Sequence, residues 1–170
     1  MAEFFNVLSL EEAHRIIEKN WPQPAMETVA LKEALGRTLA VGAIAREDLP
    51  SFPRSTVDGF AVLAADVYGA SETIPAFLNL AGEVLMGLPP EMELKAGQCF
   101  WIPTGGLLPA GADAVVMVEY TERLDQDTVL ITRPVAMGEN VIRAGEDCQV
   151  GDEVLPAGCS LISGCWPLWA

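Results

Sequence analysis

Between Ser9 and Trp21 the apolar residues recur at helical spacing. Leu10, Ala13, Ile16 and Ile17 share a face, while Glu11, Arg15 and Glu18 point elsewhere. Ser9-Leu10-Glu11-Glu12 has the form of a capping box, and Pro22 and Pro24 end the helix near Asn20 or Trp21. His14 falls off the apolar stripe and is expected to face solvent. Thr28–Leu31 predicts a short strand, Lys32–Leu35 a helical turn closed by Gly36, and Arg37–Ala45 an extended segment. Beyond Asp66 the pattern changes to short apolar runs at Ile74–Leu80, Cys99–Ile102, Ala114–Val118 and Val129–Thr132. Gly, Pro and Asp turns separate them, which predicts an all-β unit of sandwich-like or barrel-like form. Val150–Glu153 and Pro156–Gly158 predict one further small hairpin. The fold class is therefore mainly β with N-terminal helices (α+β). Residues 1–52 and 140–170 are expected to form a discontinuous subdomain around an inserted β-rich subdomain, 53–139.

Composition narrows the function classes. The chain has 170 residues, half of them apolar, and 24 acids against 10 bases give a formal net charge of −14. Phosphate contacts to nucleic acid need clustered Lys and Arg, so nucleic acid is not an expected partner. Anionic membrane surfaces are disfavoured on the same ground, and no apolar run is long enough to span a bilayer. The N-terminus shows no signal-peptide pattern, so a cytoplasmic location is expected, with Cys99, Cys148, Cys159 and Cys165 reduced and mostly buried. With no CxxC pair and His14 the one histidine, zinc has no ligand pattern and a Ser-His-Asp triad no base. Neither a GxxxxGK[ST] nor a GxGxxG loop is present.

Three segments concentrate candidate chemistry. In Arg46–Ala64, REDLPSFPRSTVDGFAVLA, Pro50 and Pro53 disfavour helix and Asp58-Gly59 makes a corner anchored by the apolar run after it. Such a stiff loop fixes the directions of Ser55, Thr56 and Asp58, although a plain turn would use the same residues. Pro103-Thr104-Gly105-Gly106 either lets backbone N–H groups approach a ligand or makes a simple hairpin turn. Arg143-Ala144-Gly145-Glu146-Asp147 suits an ion pair on a tight turn, or a site for Mg²⁺ and an anion.

Taken together and in order, these segments resemble one family. LPSFPRSTVDGFAV is similar to the P-x-F-x-x-S-x-x-D-G-[YF]-A signature of the MoeA/gephyrin-E molybdopterin molybdenumtransferases. PTGGLLPAGADAVVMVE resembles the family's T-G-x-x-x-P-x-G-A-D-A-V-V-x-x-E, and NVIRAGEDCQVGDEVLPAGCSL its R-x-x-G-E-D and following glycine pattern. ALGRTLA matches as well, so the resemblance runs from about Leu8 to about Ile162. Thr56-Val57 stands where relatives often have Ala-Met.

The resemblance implies an elongated first domain interrupted by a β-rich insertion, and transfer of molybdate-derived molybdenum into adenylylated molybdopterin (molybdopterin-AMP) with Mg²⁺. It implies catalytic roles for Asp58, Thr104 and Asp147, with Asp58 and Asp147 holding the metal. Ser55, Gly105 and Arg143 are implied in substrate binding. A homodimer is implied as the assembly, with a molybdopterin adenylyltransferase as a candidate partner. Family members continue into a large C-terminal α/β domain that is absent here, so the isolated chain is expected to be inactive. The alternative is a non-catalytic module that dimerises or docks on other cofactor-synthesis proteins. The ending, Ser163–Ala170, reads either as a truncation or altered frame, or as a short tail packing Trp166 and Trp169 on the core.

Overall fold

The structure, a computed structural model, describes residues 8–22, 24–88, 90 and 93–162. The expectations for the tryptophan tail and for the first seven residues lie outside the described residues. Helix α1, Leu10–Asn20, begins with the predicted capping box: the Glu12 N–H donates to the Ser9 hydroxyl at 3.2 Å, and the Ser9 N–H donates to Glu12 Oε2 at 3.0 Å. His14 is exposed, but so is the apolar stripe, since no residue of α1 is buried.

Two compact units divide the chain: the described residues of Met1–Val41 and Ala157–Ala170 make one, and Gly42–Pro156 the other. In the first, the strand expected at Thr28–Leu31 does not form: the segment pairs with no strand among the described residues, and a 3-10 turn takes over at Leu31–Glu33. The extended segment after Gly36 does find a partner. The Leu39 N–H donates to the Cys159 carbonyl and the Leu161 N–H to the Arg37 carbonyl, both at 2.8 Å.

The second unit holds ten short strands. They are β1 (Ala43–Ile44), β2 (Arg54–Ser55), β3 (Gly59–Val62), β4 (Ala76–Glu83), β5 (Gln98–Ile102), β6 (Ala114–Met117), β7 (Thr121–Arg123), β8 (Thr128–Ile131), β9 (Val141–Ile142) and β10 (Glu153–Leu155). Six of them form one sheet in the order β6-β3-β5-β4-β8-β7, and the pairs β1–β10 and β2–β9 stand apart. All pairings are antiparallel except β4–β5. The predicted hairpin at 150–158 is replaced by a single strand, β10, whose partner is the distant β1. Its turn residues bracket that strand instead of joining two.

β3 is buried on both faces, which is why its sequence reads GFAV without alternation. Phe60 and Val62 enter a cluster with Leu78, Cys99, Val116, Val129 and Ile131. Ala61 enters a second with Val84, Leu94, Phe100, Ile102 and Val115. Gly59 permits this packing: a Cβ there would sit 1.9 Å from the Val116 carbonyl oxygen. The molecule is thus mainly β with few helices, and no described helix is long and apolar enough to cross a membrane.

Candidate functional site

β3 and β5 are antiparallel, with Gly59 opposite Ile102. That register places the corner before β3 and the loop after β5 at the same end of the sheet. There the N–H and the hydroxyl of Thr104 both donate to Asp58 Oδ1, at 2.7 and 2.8 Å. These two bonds, the backbone one foremost, hold the exposed Asp58 carboxyl below the usual carboxylate range. Asp58 Oδ2 accepts no hydrogen bond among the described residues, and the residue is exposed.

The Arg46–Ala64 stretch is bonded to both other motif segments. The Ser55 N–H donates to the Gly106 carbonyl at 3.0 Å, and the Gly105 N–H to the Ser55 carbonyl at 2.8 Å. On the other side, the Gly145 N–H donates to the Pro50 carbonyl and the Asp147 N–H to that of Leu49, each at 2.9 Å. Asn140, which the motif reading passed over, receives the Thr56 N–H at 3.0 Å on its carbonyl and has φ 59°. The available sequence signal was an asparagine, a residue that tolerates positive φ, at the head of the NVIRAGED segment.

The structure corrects two expectations about chemistry. The amides of Gly105 and Gly106 are not free to cradle a ligand: Gly105 donates to Ser55, and Gly106 to the Pro103 carbonyl at 2.9 Å. Their glycines are used to close the turn, Gly105 with φ +81°. The ion-pair reading of Arg143–Asp147 also fails, because Arg37–Glu27 is the one ion pair among the described residues. Instead, the Glu146 carboxylate turns back to accept the Arg143 N–H at 2.8 Å.

The remaining side chains divide by exposure. The Ser55 hydroxyl is buried and occupied locally, donating to the Val57 carbonyl at 2.6 Å and accepting the Val57 N–H at 3.2 Å. Arg143 and Asp147 are exposed on the turn after β9. The Asp147 carboxylate has no hydrogen bond among the described residues, and none joins it to Asp58 or Thr104. No group of three or more His, Cys, Asp or Glu able to hold a metal is assembled among the described residues. Mg²⁺ usually keeps several waters and takes one or two carboxylates together with substrate phosphates. Asp58 and Asp147 are each a single carboxylate of the kind that mode uses; no hydrogen bond joins them, and no all-protein cage is present among the described residues.

Comparison with known proteins bears on this arrangement. Residues 8–166 match the family model described as "MoeA N-terminal region (domain I and II)". A molybdopterin molybdenumtransferase of Bacillus subtilis is 35% identical over 173 residues, covering 100% of this chain and 40% of that protein. A putative molybdopterin biosynthesis protein of Methanocaldococcus jannaschii is 39% identical over 159 residues, covering 90% of this chain and 37% of the other. Among solved structures, a molybdopterin biosynthesis MoeA protein of Pyrococcus horikoshii superposes with a TM-score of 0.83 at 35% identity, over 95% of this chain and 41% of that one. The chain thus spans about 40% of the length of relatives it matches.

Proposed function

Because the chain belongs to the family of the MoeA N-terminal region, we propose that it supplies one wall of a site that transfers molybdenum from molybdate into adenylylated molybdopterin. The observation behind this reading is the pair of hydrogen bonds that fastens Thr104 to Asp58 Oδ1. They join two of the three motif segments and leave the second carboxylate oxygen of Asp58 without a hydrogen bond among the described residues.

Every reactant is an anion, and a chain of net charge −14 would repel it. Asp58 and Asp147 would hold Mg²⁺, which supplies Lewis-acid polarisation of a phosphoryl oxygen when bound. The protein's own part is positioning. Thr104 removes rotational freedom from Asp58, so the open oxygen points one way before any ligand arrives. The bonds between Ser55 and Val57 stiffen the three residues just before Asp58. Gly105 keeps the turn free of a side chain next to Thr104, and the exposed Arg143 offers a cation to an anionic substrate. The test is reconstitution: this chain is mixed with the separately produced remainder of the B. subtilis relative, and molybdenum insertion is measured. Insertion that requires both parts supports the reading, and none under conditions where the intact relative works counts against it.

One observation favours the second reading, a docking or dimerisation module. On α1, Leu10 is 73% and Ile17 52% exposed, an apolar stripe with no cover among the described residues. Sedimentation of the chain, alone and with a molybdopterin adenylyltransferase, tests it: monomers throughout would remove it.

A further inference from the structure

The β4–β5 pair is the only parallel one in the sheet, with Glu83 opposite Trp101, so both strands leave the sheet at the same end. β5 leads there into Thr104 and Gly105; β4 leads into a crossover that returns to β5 with no helix of its own among the described residues. The root of this crossover is fixed. Val84 is 2% exposed in the second core cluster, and its N–H donates to the Trp101 carbonyl at 2.8 Å. Directly after that anchor the chain turns three apolar side chains outward: Leu85, Met86 and Leu88 are 58%, 60% and 57% exposed. Met86 does not project at random. Its methyl carbon lies 3.5 Å from the place a Cβ on Gly105 would take, so it rests on the bare face of the residue next to Thr104.

The outward-facing corner therefore has two unlike sides. One is the Asp58 carboxylate held by Thr104; the other is the Met86 side chain, carried on a loop rooted at Val84. A small apolar surface beside a carboxylate that would hold Mg²⁺ suits a ligand with a flat ring joined to an anionic group, the anion being taken by the metal and not by the carboxylate itself. Methionine sulfur packs well against aromatic rings. We propose that Met86 is a specificity-determining residue of this site, packing against the flat, nitrogen-rich ring of the substrate while the anionic part reaches the Mg²⁺ that Asp58 would hold. This rests on the molybdenum-transfer reading for the ligand's identity, since that substrate contains two such rings, pterin and adenine.

The test uses the full 170-residue chain carrying ¹³C-methyl methionine, with Met86→Leu to assign the Met86 signal and the Thr104 amide followed in parallel. Free pterin, AMP and, as an apolar control, indole are titrated separately in the presence of Mg²⁺. The expected result is a saturable upfield shift of the Met86 methyl with pterin or AMP, whichever ring the loop takes, and a much smaller one with indole. Met86→Ala should weaken that binding roughly 2- to 10-fold, the range of a sulfur–aromatic contact, and Met86→Leu should retain most of it. Movement of Thr104 without Met86 would overturn the assignment of Met86 and leave the proposed function standing. An equal response to indole would overturn it too, as an unselective greasy patch. If neither signal moves with either probe, both the assignment and the function behind it fail for this chain.

Discussion

Asp58 is the residue whose surroundings make the sharpest predictions. Its folded-state carboxyl is held below the ordinary value by the two Thr104 bonds, so the linked stability is present above the unfolded-state pKa and lost as pH falls through the folded one. Acidification below about pH 4 should therefore free the 103–106 turn. Amide exchange at Thr104 should rise there in the wild type, and already at neutral pH in Asp58→Asn. Thr104→Val should show a smaller rise, since its N–H bond to Asp58 remains. Cys99 makes the opposite case. Burial pushes its thiol up to about 12, with Arg123 pulling weakly the other way. It should resist alkylation in the native chain, while the half-buried Cys148 and Cys159 react first. Mass spectrometry of alkylated peptides before and after unfolding checks the order.

At the scale of elements, what was legible was what is local. A helix announced by Ser9 and Glu12 and closed by Pro22 needs only its own residues, and it lies at Leu10–Asn20. The core strands β4, β5, β6 and β8 follow apolar runs and were found within a few residues. The two-residue strands β2 and β9 were not, nor was the pairing of β1, which lies inside the extended segment expected at Arg37–Ala45, with β10, because nothing within such short segments records a partner about 90 residues or more away. The same limit hid the role of Gly105 and Gly106: their composition fits a ligand cradle as well as a turn, and only the positions of Ser55 and Pro103 decide. Gly59→Ala should cost about 3 kcal/mol or more, since the added methyl meets the β6 backbone and no side chain can give way. Denaturant unfolding measures it. Ser9→Ala should fray α1 at a cost of about 1 kcal/mol of helix stability, seen as lost amide protection over Leu10–Ala13.

For the whole molecule, the compact units change over between Val41 and Gly42 and between Pro156 and Ala157. The subdomain boundaries expected from the sequence lie near 52 and 139. The β2–β9 pair crosses those boundaries, joining Arg54–Ser55 to Val141–Ile142, whereas β1–β10 joins two stretches that both lie outside 53–139; both pairs belong to the larger unit. That unit contains all six candidate site residues. They lie on three backbone segments joined through Leu49, Pro50 and Ser55, and the Asp58 corner is bonded to the Thr104 turn directly. The family signature at Asp58 was readable, and so was its order relative to Thr104 and Asp147. Met86 was not, because it sits in no motif and is brought to Gly105 only by the parallel crossover.

The central claim is that Asp58, set by Thr104, works within a molybdenum-inserting site. It is tested most directly by grafting this chain in place of the matching N-terminal region of the B. subtilis relative and measuring Mg²⁺-dependent AMP release on molybdenum insertion. The account predicts an active graft whose Asp58→Asn form loses roughly 10- to 100-fold of that activity. An Asp58→Asn graft as active as its parent would contradict it.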